Sequence, residues 1–222
     1  MQETREIFED RKEEIELYFS IILDLENNRV RFNTVNDRRF LKILKSNFIL
    51  MLYNFIEACI SSGLSEIYES MKHDNCTYYD VIEEIQNIWT KAQVANISGQ
   101  TIQRSTYEKH IKKVIDEVVN QSPIVLSKKS LKYEGNLDAK RIKELCDEHK
   151  IRYVVDRNTT ALLTIKTRRN SLAHGDVSFS ECARDDSALD LEKTKDVTIK
   201  FIDDILIGME RYYNEKSYRQ TS

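Results

Sequence analysis

Arg169-Asn170-Ser171-Leu172-Ala173-His174-Gly175 crowds an arginine, an amide and a histidine into one short stretch and follows them with a glycine. An arginine offers a phosphate several fixed donors. A histidine moves protons near neutral pH. Together they are the tools for cutting RNA without a metal ion. Spacing constrains how they can cooperate. At 3.6 residues per turn, Asn170 and His174 lie about 40° apart and share a helix face, while Arg169 and His174 are separated by about 140°. A straight helix therefore does not aim both at one phosphate. The arginine must reach round, the helix must break at Gly175, or a symmetric partner must complete the site.

Arg169 also continues a stripe of Leu162, Ile165 and Leu172. A charge on an apolar stripe is costly unless it is paired or lies at a cleft. Lys166 and Arg168 stand beside it and predict a small positive patch. A bland reading competes with this one, because cations near a helix C-terminus favour the helix dipole whatever their function.

The elements that must position these residues read as helices. The 222 residues hold one proline and five glycines, with 41% apolar and 32% charged side chains, which predicts an all-α fold in a single domain, 1–222. The net charge of −3 argues against broad duplex binding, so any RNA contact must be local. Cys59, Cys76, Cys146 and Cys182 are far apart, and Met1 to Arg5 leads into a charged amphipathic helix rather than a signal peptide. A cytoplasmic protein with reduced thiols is expected. The apolar run from Phe48 to Ile60 is interrupted by Asn54 and Glu57 and reads as too short and too polar to span a bilayer.

Hydrophobic spacing predicts a helix from Glu3 to about Asn28. A long helix follows from Asn36-Asp37 through Ser62, with Gly63 as a kink or an end and the pattern continuing to His73. The centre of that helix, Phe48 to Tyr53, is apolar on all sides, as a central helix is. Further helices are expected from Thr77 or Asp80 through Trp89, over Thr101 to Asn120 after a break at Ser98-Gly99-Gln100, and from Asn136 or Asp138 through Leu145. Residues 77–150 read as an accessory helical insertion. Asn158 or Thr159 opens the helix that carries the candidate site, Gly175 ends it, and a loop to about Asp186 leads to a last amphipathic helix. The polar tail, 214–222, is expected to fray.

Arg169-Asn170-x-x-x-His174, placed at the end of the penultimate helix, resembles the signature of the HEPN superfamily, helical nucleotide-binding and ribonuclease domains. Gly135-Asn136-Leu137-Asp138, with Ile142 and Leu145, is similar to the Gly-Asn-hydrophobic-Asp segment of the MAE-type branch, found beside bacterial restriction and defence genes. The resemblance is close over Gly135 to Tyr213 and only general over the first 120 residues. It implies a HEPN-type helical bundle with accessory helices. It also implies a metal-independent endoribonuclease with no cofactor, in which a 2′-OH attacks the adjacent phosphorus to leave a 2′,3′-cyclic phosphate. In that scheme His174 is general base or acid, Arg169 stabilises phosphoryl charge, and Asn170 orients one of them. The implied substrate is single-stranded or looped RNA. The implied setting is a homodimer acting as a toxin or effector in bacterial defence, with an antitoxin or another defence protein as partner. The alternative is a non-catalytic HEPN-like module that binds RNA, nucleotide or protein. A scaffold without a site is the third reading, favoured if Arg169 is buried in a salt bridge.

Family members often carry an acidic residue on an earlier helix, with a basic or amide residue four positions on. Glu57 fits the first position, but Ser61 stands at the second. Glu57 is expected in a supporting role, pairing with Arg169 or satisfied by Tyr53 or Asn54. Arg168 and Lys166 are the other supporting candidates. Cys146 and His149 share a helix face without a second ligand pair nearby, so no metal site is expected. His73, His110, the Asp203-Asp204 pair and the basic loop of Lys128, Lys129 and Lys132 read as solvated. No glycine-rich phosphate loop is present.

Overall fold

The computed structural model describes residues 1–30, 37–95, 104–127, 136–155 and 159–220. Among them seven helices form: α1 (Gln2–Glu26), α2 (Asp37–His73), α3 (Glu83–Ala95), α4 (Arg104–Val119), α5 (Ala139–Glu148), α6 (Thr160–His174) and α7 (Ala188–Asn214). The all-α expectation holds. The expected break at 98–100, part of the 101–120 helix start, Asn158 and the lysines at 128, 129 and 132 fall outside the described residues.

α2 is the axis of the fold, and α1, α6 and α7 all pack on it. Its side chains from Phe48 to Met71 are buried around the helix, including Phe48, Leu52, Phe55, Ile56, Ile60 and Leu64. A helix apolar on all faces is stable in water only when neighbours cover those faces. As one continuous 37-residue helix, α2 is long and apolar enough to cross a membrane by length and composition. The expectation that this run is too short therefore needs correction. Packing against three helices is what covers its apolar surface here.

Gly63 does not end α2, which runs on to His73. A Cβ at that position would lie 2.6 Å from the Met209 sulfur of α7. The glycine admits α7 to close range, so a tertiary contact explains a residue that local sequence reads as a breaker.

Between α2 and α6 the chain is less regular. Residues 77–82 form turns and two isolated bridges, Thr77 with Pro123 and Val81 with Arg219, rather than the predicted start of a helix, and α3 begins at Glu83. α3 buries Ile85, Ile88 and Trp89, whereas α4 buries no side chain fully. His110 of α4 is not free in solvent, because its Nε2 lies 3.1 Å from the Gln93 carbonyl. His73 is exposed, as expected. His149 is fully buried after α5. Its Nδ1–H donates to the Leu145 carbonyl at 2.7 Å, which leaves Nε2 to accept from the Tyr68 hydroxyl at 2.6 Å. Asp203 and Asp204 of α7 are tied by Arg5 and Lys200 rather than solvated as a bare pair.

The tail corrects another expectation. Tyr218 is fully buried, and its hydroxyl donates to Asp74 at 2.8 Å. Lys216 and Arg219 pair with the same carboxylate, and Val81 and Arg219 form a bridge. The chain up to Gln220 is therefore docked on the α2–α3 junction. A polar tail with one aromatic is fixed by that aromatic and by an acceptor that local sequence does not reveal.

Candidate active site

α6 lays Leu162, Ile165 and Leu172 into the core, all three buried. The stripe predicted from spacing is the buried face, and Arg169 sits at its edge. The helix continues through His174 without breaking. Gly175 then takes a left-handed conformation at φ 77°, with its N–H donating to the Leu172 carbonyl. Glycine adopts this conformation without the steric penalty other residues incur.

Arg169 rests on α2. Its guanidinium carbon is 4.7 Å from the centroid of the Tyr53 ring. Such a face attracts a cation through the ring quadrupole, by about 0.5–2 kcal/mol. The Tyr53 hydroxyl is occupied on two sides. It donates to Glu57 at 3.1 Å and accepts the Leu137 N–H at 3.2 Å. Burial pushes the Tyr53 phenol up to about 12, so it stays protonated and keeps the donor for Glu57. Glu57 thus braces the ring that carries Arg169, a supporting role that runs through Tyr53.

The guanidinium does not point straight out from its own helix position. Its Nη1 donates to the Asn170 side-chain carbonyl at 3.0 Å. On a helix, Asn170 lies between Arg169 and His174, at about 100° on the way to 140°. The arginine thus joins the Tyr53 ring to the amide that shares a helix face with His174. His174 is exposed on the last turn. Of the routes that spacing left open, a helix break before His174 is absent.

The segment before α5 closes the other side. Asn136 Oδ1 lies 3.5 Å from the Asn170 amide nitrogen. Leu137 is fully buried and bonds Tyr53 through its N–H. Asp138 caps α5 by accepting the Arg141 N–H at 2.9 Å, and its second oxygen pairs with Lys166. Burial opposes ionisation of Asp138, but Lys166 and the α5 N–H groups outweigh it and hold the carboxyl below its ordinary value. Three consecutive residues thus anchor to α2, α5 and α6 at once.

The positive patch expected from Lys166 and Arg168 is neutralised. Lys166 is held by Asp138. Arg168 forms a two-pronged ion pair with Asp186 at the end of the α6–α7 loop, and this hydrogen-bonded carboxylate raises the arginine's pKa. Arg168 is a loop anchor, and Lys166 is a bolt between α5 and α6. Arg169, Asn170 and His174 remain as the groups gathered at the helix end. Sequence reasoning gives Tyr53 no role beyond partnering Glu57. One signal for its larger role is present in the sequence: a phenol and a carboxylate four apart in an otherwise apolar helix share a face and need a common polar surrounding.

An α-helical bundle whose penultimate helix ends in Arg-Asn-x-x-x-His and a left-handed glycine has the architecture of a HEPN-type domain. The chain matches the MAE_28990-like HEPN family over residues 2–218, and it belongs to that family. No curated protein and no solved structure matches it.

Proposed function

We propose that the chain is a metal-independent endoribonuclease acting on single-stranded or looped RNA in the cytoplasm, as an effector in bacterial defence. The supporting observation is the Arg169 guanidinium, laid on Tyr53 and donating to Asn170, which shares a helix face with exposed His174. Arg169 would neutralise charge growing on the phosphoryl oxygens. Neutral His174 would take the 2′-OH proton as that oxygen attacks phosphorus, forming the cyclic phosphate. The 5′-oxygen must leave with a proton, which an imidazolium supplies. In-line attack needs a flexible backbone, hence unpaired RNA. The defence setting and any antitoxin or partner protein rest on family membership.

The reaction needs a base and an acid, and each chain places one histidine at this turn. A homodimer would supply both. Leu163, Thr167, Asn170 and His174 recur at i, i+4, i+7 and i+11, one stripe of α6. Leu163 and His174 on it are exposed. Pairing of two copies along this stripe would set the two histidines face to face.

The test is cleavage of an unstructured RNA by the purified chain in EDTA, with analysis of the ends. Cyclic phosphate and 5′-OH ends, lost in His174→Ala and Arg169→Ala proteins that keep their helical circular dichroism, support the proposal. A requirement for added metal, or cleavage unchanged by His174→Ala, overturns it. RNA binding without cleavage by wild type favours the non-catalytic module.

A further inference from the structure

α4 is covered along one side only. His110, Val114 and Val118 are half-buried, and the His110 ring meets the Gln93 carbonyl of α3. On the adjoining face Tyr107, Ile111, Ile115 and Val119 are between 38% and 69% exposed. These four recur at every fourth residue, about 40° apart, and so form one stripe about 120° wide. Val94 of α3, also exposed, lines the same apolar crevice as Ile111 and Ile115, of about 380 Å³. A helix of this length is marginal in water by its own propensity, and α4 buries no side chain fully against the rest of the chain. A contiguous apolar stripe on so lightly packed a helix marks a contact surface.

The charges beside the stripe say what covers it. Arg104 pairs with Glu108 and Lys113 with Glu117, each pair four residues apart within α4. Lys112 and Asp116 are exposed and form no ion pair with a described residue. They too are four apart, so they share one edge of the stripe, two residues before and two residues after Val114. A second copy turned antiparallel about a twofold axis at Val114 sets its Asp116 opposite Lys112 and its Lys112 opposite Asp116. Parallel pairing would set like charge against like, so only the antiparallel arrangement is complementary. In that register Ile111 falls between the partner's Ile115 and the partner's Val119. Ile115 falls between the partner's Ile111 and the partner's Ile115, as interdigitated helices require.

We propose that α4 is a self-association surface, on which a second copy of this chain pairs antiparallel through Tyr107, Ile111, Ile115 and Val119, with two Lys112–Asp116 ion pairs beside them. The surface lies on a different helix from the α6 stripe and does not depend on the ribonuclease reading. Four side chains from each copy make a short seam, so pairing is expected at about 100 µM, weaker than a standard interface.

The experiment is sedimentation equilibrium of the full chain carrying Leu163→Glu, so that pairing through α6 does not contribute. It is run in reductant and low salt at about 5 and about 200 µM, on either side of the expected midpoint. The average mass should move from one chain toward two. Ile115→Asp should weaken this association at least tenfold with helical circular dichroism unchanged. A Lys112→Asp chain and an Asp116→Lys chain, each alone, should associate about tenfold more weakly, because each sets like charges against one another. Mixed in equal amounts, the two reversed chains should recover the original strength, since every cross-pair is again opposite in sign. The proposal is overturned if the mass does not rise with concentration or if Ile115→Asp leaves the rise intact. It is equally overturned if the two reversed chains do not recover association on mixing. RNA cleavage is not a readout, so this result is separate from that of the ribonuclease test.

Discussion

The guanidinium of Arg169 lies 4.7 Å above the ring of Tyr53, a residue 116 positions earlier in the chain, whose hydroxyl is fixed by Glu57 and by the Leu137 N–H. The ring is a platform and the hydroxyl is its lock. Tyr53→Phe keeps the platform and removes the lock. It is expected to lower stability by about 1–3 kcal/mol, since Leu137 N–H and Glu57 lose a partner. Cleavage should be largely retained. Tyr53→Leu removes the ring face, and kcat for RNA should fall about tenfold, the rate equivalent of about 1.4 kcal/mol. Urea unfolding and single-turnover cleavage of the two variants separate these effects.

Arg168 and Arg169 are adjacent and make different contacts, Arg168 with Asp186 and Arg169 with the Tyr53 ring. Arg168→Ala releases Asp186 and the α6–α7 loop, with an expected loss of roughly 1 kcal/mol and a fall in Tm of roughly 2–4 °C. Its cleavage rate, measured well below Tm, should stay near wild type. Arg169→Ala should do the reverse. Calorimetry alongside a cleavage assay checks both.

If two copies share each active centre, with one His174 as base and the partner's as acid, a single His174→Ala chain disables a mixed dimer. Random mixing of wild type with an equal amount of His174→Ala leaves about a quarter of the dimers wholly wild type, so activity per chain should fall to about a quarter. A fall to only about a half would show that each chain is self-sufficient. Leu163→Glu, on the same α6 stripe, should shift the protein to monomer in light scattering.

His149 is held below its ordinary pKa by burial, although the Leu145 carbonyl pulls the other way. The unfolded chain takes up a proton below about pH 6.5, whereas the folded one refuses it until lower pH. The stability contributed is full above about 6.5 and declines as the pH drops from there. A His149→Gln protein should be less stable at pH 8 but lose less on acidification from pH 7 to 5. Urea midpoints across that range measure the slope.

Two helical glycines make different contacts. Alanine at Gly63 meets a methionine side chain that can shift, and alanine at Gly208 meets the Arg152 backbone. Helix propensity favours alanine by about 1 kcal/mol at both sites. Gly63→Ala should be close to neutral, whereas Gly208→Ala should cost about 2 kcal/mol or more through overpacking. Chemical denaturation of the pair gives the ranking.

Much of the candidate site is legible in the amino-acid sequence. The α6 stripe, the glycine that ends the helix, the Asp138 cap and the loop to Asp186 follow from 3.6-residue periodicity and capping chemistry, which act within a few residues. The angular order of Arg169, Asn170 and His174 is likewise a property of the helix. The fate of each charge is not legible. Lys166, Arg168 and Arg169 are three cations within four positions, and local sequence makes them one patch. Tertiary packing gives the first to Asp138, the second to Asp186 and the third to an aromatic ring. The docked tail escapes local reading for the same reason, since Tyr218 and Asp74 are 144 residues apart.

By itself, then, the amino-acid sequence determined a helical bundle and a turn bearing an arginine, an amide and a histidine in known order around one axis. Only the tertiary structure decided that the arginine lies on the Tyr53 ring and donates to Asn170. That placement depends on where α2 places Tyr53 and on which carboxylates claim the neighbouring cations. Periodicity sets where a side chain leaves its helix, and packing between distant segments sets where its charged end comes to rest.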